Sequence, residues 1–348
     1  MPANNQSSNC DPRITVVMAT YNGSHFVAAA VDSILSQTFK NFEFIIIDDG
    51  SHDNTVDILS SYDDPRIRII QNDKNRGTSY SRNLGISQAK GFYVASMDQD
   101  DISHPDRLQK QLTFMEENPR VGICGTWART FGARQEIIKA PIGKNLIKAS
   151  LFFDCPFIHP SIIFRRELLV SKNIYYNNVV AEDYDLWVRL MDTCEFYNLP
   201  EALIDYRIHP GQITYFSKEK VSISAMEIRH SQASRLLATT LSERQRYCME
   251  ILFNPAFKSA LKIDLVLFVV VLIRKNRLLH IYPEPDFSNL LYNRLIDHLK
   301  MGVMCSRLSL IWFVIINIPL LIQTFGFRKS RKIYKYCRKN RRPTNEPG

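Results

Sequence analysis

Met97-Asp98-Gln99-Asp100-Asp101 sets three carboxylates at the end of a short apolar run, FYVASM at 92–97. Acids at the edge of a buried strand are costly unless a cation or hydrogen-bond donors meet them. Hard carboxylate oxygens suit magnesium or manganese. A divalent ion there would bridge the two phosphates of a nucleotide and stabilise the charge building on a departing diphosphate. Acidic turns are also common surface features, so an isolated Asp-x-Asp would read as a plain turn.

Two further segments carry polar chemistry. Asp48-Asp49-Gly50-Ser51 ends the run FEFIII at 42–47. Gly50 supplies the freedom such a turn needs. A carboxylate there can accept the imide N–H of uracil, while Ser51 or Asp53 serves as the cap of the next helix. Asn75-Arg76-Gly77 leads into Ser81-Arg82-Asn83-Leu84-Gly85. Arg82, one turn into a helix, either reaches a diphosphate or pairs with the acidic loop as a structural ion pair.

These groups need elements to hold them. Residues 14–18 (ITVVM), 42–47, 67–70 (IRII) and 92–97 have the β-branched, continuous apolar character of buried strands. Helical spacing follows the first two, at Val27, Ala30, Val31, Ile34 and Leu35 and then through Val56 and Leu59. A third helix starts near Thr78 or Ser79, each a candidate N-cap. The alternation predicts an α/β fold with a mostly parallel, doubly wound sheet, whose ligands bind at the carboxyl ends of the strands. The polar clusters at Ala19 to Asn22, Asp48–Asp49 and Asp98–Asp101 all fall at such ends, which predicts one shared site.

The chain has 348 residues, 45% of them hydrophobic, enough for a sizeable core with an appendage. The first dozen residues are polar and expected to be disordered, with no apolar run of a secretory signal. Seven cysteines are scattered without a Cys-x-x-Cys pair, which argues against a zinc site or disulfide framework and fits a reducing cytosol. The formal charge is +9, and the basic residues of RKSRKIYKYCRKNRR at 328–342 account for it.

The four segments TVVMATYNG (15–23), SILSQTFKNFEFIIIDDGSHDNT (33–55), NRGTSYSRNLGISQAKG (75–91) and MDQDD (97–101) together closely resemble family 2 glycosyltransferases of the GT-A nucleotide-sugar-binding fold. The likeness extends over about the first 215 residues. It implies an inverting transferase that moves a sugar from a UDP-sugar to an acceptor hydroxyl. By that resemblance Ala19, Thr20 and Tyr21 contact the base, Asp49 binds the uracil imide, Asp98 approaches the ribose and Asp100 binds Mn2+ or Mg2+. Asp101 is either a further ligand or only a loop stabiliser. Gln99 stands where the family often has a small residue, and its amide could bond donor phosphate or sugar. Ala181-Glu182-Asp183-Tyr184-Asp185-Leu186-Trp187 resembles the acceptor-side motif, making Asp183 the general base. Without the resemblance, Glu182, Asp183 and Asp185 read as an acidic first turn suited to a helix N-terminus. The segments FIHPS (157–161) and YRIHPG (206–211) also resemble family segments, placing His159 at the acceptor side and His209 near the diphosphate or metal. Trp187 is either a sugar-stacking platform or core.

The expected organisation is a catalytic domain at 13–215 (donor half 13–101, acceptor half 102–215), a helical extension at 216–327 and a basic tail at 328–348. The apolar runs 263–273 and 308–322 are shorter than the roughly 18–20 residues of a spanning helix. Trp312 and the following basic block suggest an interfacial anchor, and a buried helix pair is the plainer reading. An anchored enzyme would meet a lipid-linked glycan at the cytoplasmic face of the inner membrane, in O-antigen or capsule assembly. A dTDP- or GDP-sugar donor is the alternative. The turn ATYNGSH lacks Gly-x-Gly-x-x-Gly, and no P-loop is present, so dinucleotide and P-loop enzymes are excluded. Only the basic tail suggests nucleic acid, which is not an expected partner.

Overall fold

A computed structural model describes residues 11–212, 217–254, 262–300 and 319–339. The chain divides into two compact units, Met1–Ile147 with Cys155–Val221, and Lys148–Asp154 with Ser222–Gly348.

The first unit is built on a nine-stranded sheet in the order β3-β2-β1-β4-β8-β6-β9-β5, with β7 paired to β6. Its first part alternates strictly: β1 (Ile14–Thr20), α1 (Val27–Leu35), β2 (Phe42–Asp48), α2 (Thr55–Ser60), β3 (Ile67–Gln71), α3 (Thr78–Gln88) and β4 (Tyr93–Asp98). The short β5 (Ile102–Ser103), α4 (Arg107–Glu117), the long β6 (Val121–Gly132), β7 (Ile137–Ile138) and α5 (Lys144–Ser150) follow. After a single 3-10 turn at His159–Ser161 come β8 (Ile163–Arg165), α6 (Arg166–Val170), α7 (Glu182–Leu190) and β9 (Glu195–Ile208). The ladders β1–β2, β1–β4, β2–β3 and β6–β9 are parallel, and the short ones made by β5, β7 and β8 are antiparallel. The sheet is therefore mostly parallel, as the sequence predicts.

The central strands are continuous apolar runs because helices cover both faces. Ile14, Val16, Met18, Phe44, Ile46 and Ala95 pack with Val27, Val31 and Ile34 of α1. On the other side α3 lies so close to β1 that a Cβ on Gly85 would sit 2.4 Å from Val17 Cγ1. Register then aligns the strand ends: Thr20 is opposite Asp48, and Ala19 is opposite both Ile47 and Asp98.

Two expected helix starts differ. The cap position of α3 is Gly77, at φ +90 and without a side-chain bond, rather than Thr78 or Ser79. The cap position of α2 is Asn54, also without a side-chain bond. Asp53 instead accepts from the backbone of Ser24 and Thr55, and Ser51 donates to Asp48. Asp53 thus combines a local bond to Thr55 with a tertiary one to Ser24.

The second unit is helical, with helices at Lys218–Leu237, Glu243–Phe253, Lys262–Leu279, Asp286–Lys300 and Phe327–Lys339. Phe152 packs edge-on against Tyr282 and Phe287, whose rings stack 4.7 Å apart. In the apolar run 263–273, Leu265, Val266, Val269, Val270, Leu272 and Ile273 are buried in this unit's core. Most of the run 308–322 lies outside the described residues, since the structure resumes at 319. Among the described residues no helix is long and apolar enough to cross a membrane.

Candidate active site

The turns after β1, β2 and β4 form one rim, and side chains tie them together. Gln99 Oε1 accepts from Thr20 Oγ1 at 2.5 Å and from the Tyr21 N–H at 2.9 Å. Its amide nitrogen donates to the Tyr21 carbonyl at 3.3 Å. The middle residue of the acidic cluster thus clamps the β4 turn to the end of β1. Tyr21 itself is exposed at that rim.

Asp49 is buried behind the rim and organises the next loop. It accepts from Asn72 Nδ2 at 2.6 Å, the Arg76 N–H at 3.0 Å and the Gly77 N–H at 2.8 Å. Asn72 also donates to Ser81 Oγ at 3.0 Å, linking Asp49 to α3. The loop reaches Asp49 because Gly50 takes φ +76, and a Cβ there would lie 2.7 Å from the Lys74 carbonyl carbon.

Arg82, in the second turn of α3, is largely buried and bonds two acids at once. Nη2 donates to Asp98 Oδ1 at 3.0 Å and Nη1 to Glu182 Oε1 at 2.5 Å. Burial pushes the Asp98 carboxyl up, but Arg82 leads the charges and bonds that bring it below its ordinary value. His159 lies beside this group. Its Nε2 meets Tyr176 Oη at 2.9 Å, while Nδ1 is 3.9 Å from Asp98 and has no bonded partner. Burial, with Arg82 adding to it, pulls the imidazole down to about 3, so His159 is neutral.

Glu182 and Asp183 open α7, whose N-terminal dipole favours negative charge. Asp183 Oδ1 accepts from the Tyr184 N–H at 2.7 Å, and Oδ2 from the Cys155 thiol at 3.4 Å. Burial nevertheless holds both Asp183 and Glu182 above the ordinary carboxylate range. A carboxylate raised in this way takes up a proton more readily than a free one, as a general base must. Asp185, by contrast, is bound to Arg189 and Asn177, both at 2.9 Å.

Asp100 and His209 meet across the rim, with His209 Nε2 2.9 Å from Asp100 Oδ2. The Gly211 N–H donates to His209 Nδ1 at 3.2 Å, so Nε2 carries the ring proton and donates to Asp100. The His209 ring packs on Phe26 at 4.7 Å. Burial and the neighbouring Asp98 raise the Asp100 carboxyl. Asp101 is fully buried and accepts the Arg207 N–H at 2.9 Å through Oδ1, while Oδ2 has no partner. It holds the loop from behind. Among the described residues no three His, Cys, Asp or Glu side chains gather to hold a metal by themselves.

Trp187 corrects the sugar-platform expectation. It is fully buried and packs edge-on against Phe157 and Tyr176. Its helical spacing on α7 turns it inward, away from any acceptor.

Sequence reasoning did not single out Arg207, Tyr176 or Cys155. Arg207 donates through Nε to the Asp100 carbonyl at 2.8 Å, and its guanidinium lies over Phe26 and Phe131. Its place two residues before His209 was the available signal. Tyr176 and Cys155 lie in irregular segments with no periodicity to mark them.

Residues 15–171 match the model of glycosyl transferase family 2. The O-antigen biosynthesis glycosyltransferase WbnJ of Escherichia coli is 30% identical over 250 residues, 69% of this chain and 96% of WbnJ. The chain belongs to glycosyl transferase family 2. A putative glycosyltransferase, EpsE of Bacillus subtilis, is 36% identical over 209 residues, 57% of this chain and 74% of EpsE. Among solved structures, residues 1–349 of S. aureus TarS in complex with UDP-GlcNAc superpose with a TM-score of 0.55 at 18% identity, covering 93% of this chain and 90% of that TarS fragment. That likeness is one of fold, and it identifies the family 2 glycosyltransferase sheet as the GT-A arrangement. This protein is therefore a glycosyltransferase, and the clustered acids lie in the matched domain or just beyond it.

Proposed function

We propose that this glycosyltransferase inverts the anomeric centre as it moves a sugar from a UDP-sugar to an acceptor hydroxyl. The observation that carries the reading is the gathering of Asp49, Asp98 and Asp100, from the end of β4 and the turns after β2 and β4, at the carboxyl ends of one sheet, with the Glu182–Asp183 pair of α7 tied to them through Arg82. Ala19, Thr20 and Tyr21 flank the uracil, and Asp49 faces its imide with the lone pair its three internal donors leave. Asp98 orients the ribose. Gln99 acts through the clamp that fixes Tyr21, and Arg82 acts through Asp98.

The donor set at Asp100 and His209, a hard carboxylate beside an imidazole, fits Mn2+ or Mg2+ bound together with a diphosphate. Such an ion needs only one or two protein ligands when phosphate oxygens complete its shell. His209 would ligate through Nε2 after its proton moves to Nδ1, giving up the Gly211 contact. When bound, the ion supplies charge neutralisation for the departing UDP. Asp183 takes the proton of the acceptor hydroxyl as that oxygen attacks the anomeric carbon from the face opposite the diphosphate. Glu182 and His159 line the approach on the acceptor side.

The relative WbnJ, named for O-antigen biosynthesis, supports a place in surface-polysaccharide assembly. The acceptor is then a lipid-linked glycan at the cytoplasmic face of the inner membrane. The helix Phe327–Lys339 favours that placement. It buries Ser330 and Ile333 and exposes Phe327, Arg328, Arg331, Lys332, Tyr334 and Lys335, a face suited to anionic lipid. A screen of UDP-, dTDP- and GDP-sugars with manganese, followed by linkage analysis, tests the proposal. An α-linked product from an α-linked UDP-sugar would sink the inverting mechanism.

A further inference from the structure

Arg82 is bonded to the last residue of β4 and the first residue of α7, positions 98 and 182 in the chain. Its side chain is only 12% exposed, so both ion pairs are shielded from water. The helix that carries it is itself fixed on both sides. Gly85 seats α3 on Val17 of β1. One residue past Arg82, Asn83 exchanges two hydrogen bonds with the backbone of Tyr176, at 2.8 and 3.0 Å, and Ser79 donates to the Asn177 carbonyl at 3.0 Å. The segment so gripped leads into α7. A rigid helix thus spans from the donor rim to the acid pair, with a guanidinium fork at its centre.

A guanidinium presents donors in a fixed planar geometry, so two acids bonded to one fork are held at a set separation. Without that cation, Asp98, Glu182 and Asp183 would be buried acids repelling one another, and α7 would have reason to shift outward.

We propose that Arg82 is a positioning residue, not a diphosphate ligand: by tying Asp98 to Glu182 it fixes the distance between the donor rim and the proton acceptor Asp183. The proposal rests on the reading of Asp183 as the base. Its electrostatic consequence has a definite sign. The charged and titratable groups facing Asp183 are Arg82 from α3, Asp98 from β4, Cys155 and Tyr176 from the loops, and Glu182 on its own helix. Of these Arg82 is the cation, and it favours ionised Asp183; Glu182 disfavours it.

The experiment compares Arg82→Gln, Arg82→Lys, Glu182→Gln and Asp183→Asn in the full chain, with UDP binding by calorimetry and kcat against pH. Arg82→Gln is expected to lower kcat roughly 100-fold, as misplacement of a reacting group by about 1 Å does. UDP affinity should change by no more than a few-fold. The acid limb of kcat should move up by about one pH unit for Arg82→Gln and down for Glu182→Gln, the range one nearby charge produces. Arg82→Lys keeps the charge but not the fork, so it should leave the limb in place and still lower kcat. Should Arg82→Gln not fold, Arg82→Lys and Glu182→Gln decide the matter alone. A large loss of UDP affinity in Arg82→Gln with an unmoved limb would make Arg82 a diphosphate ligand and overturn the proposal. Normal turnover in Asp183→Asn would instead overturn the base assignment and the proposal with it, whereas an inactive Asp183→Asn beside an unaffected Arg82→Gln would overturn the proposal only.

Discussion

Asp100 and His209 lie 2.9 Å apart although 109 positions separate them in the chain. The imidazole reaches the acid because β9 runs the length of β6 and ends beside the β4 turn, and because Phe26 supports its ring. On the function proposed above, Asp100 and His209 are the two side chains that would hold the metal ion.

Asp100→Ala is therefore expected to abolish turnover and to remove the dependence of UDP binding on Mn2+. His209→Ala should weaken Mn2+ binding about 10- to 100-fold, the usual cost of losing a metal-site partner. Calorimetric UDP titrations at graded Mn2+ check both; a His209→Ala enzyme with unchanged Mn2+ dependence would remove His209 from the site.

Asp183→Asn should keep donor binding and lose transfer by about 100- to 10,000-fold, the range of a positioned general base. The same variant should be more heat-stable than the parent at neutral pH. Asp183 is held above its ordinary range by burial, so the folded state binds the extra proton more tightly than the unfolded chain. Stability is then present below the ordinary carboxylate value and falls as pH rises through the raised one. Asparagine avoids the buried charge, so the difference in melting temperature should close as the pH is lowered. A stability gap that widens in acid would contradict the assignment.

Gly50→Ala should destabilise the fold by roughly 1–3 kcal/mol, since the residue sits at φ +76 and the new Cβ meets the Lys74 backbone. The loop at 72–77 must then move off Asp49, so UDP affinity should fall as well. Thermal melts and UDP titration on the same sample measure the two effects. Unchanged UDP binding in a destabilised protein would separate Asp49's loop from the donor site.

Trp187→Ala should cost about 3–5 kcal/mol of stability, as for a buried aromatic, because the ring is enclosed by Phe157 and Tyr176. Trp187→Phe, which keeps much of the volume, should leave the acceptor KM unchanged. An acceptor KM that rises in Trp187→Phe without loss of stability would restore the sugar-platform role.

Charge reversal at Arg328, Arg331, Lys332 and Lys335 should abolish sedimentation with phosphatidylglycerol vesicles at low salt and leave transfer to a soluble acceptor intact. Exposed cations bind an anionic surface at about 1 kcal/mol each. Equal binding of the parent to neutral phosphatidylcholine vesicles would assign the attachment to apolar contact instead.

The alternation of apolar runs and helical spacing up to residue 98 was enough to place β1 to β4, while the parallel pair β6 and β9 lies beyond it. Buried parallel strands must be continuously apolar, so their polar ends stand out, and that is why Asp49 and Asp98 could be assigned to one rim. What the side chains do at that rim depended on contacts across long loops. Gln99 turned out to clamp Tyr21, Arg82 to join Asp98 to Glu182, and Trp187 to fill the core. Periodicity and turn chemistry are local and are written in neighbouring residues. Partners 78 to 109 positions apart are chosen only when the loops close and the sheet stacks, so only the tertiary structure decided them.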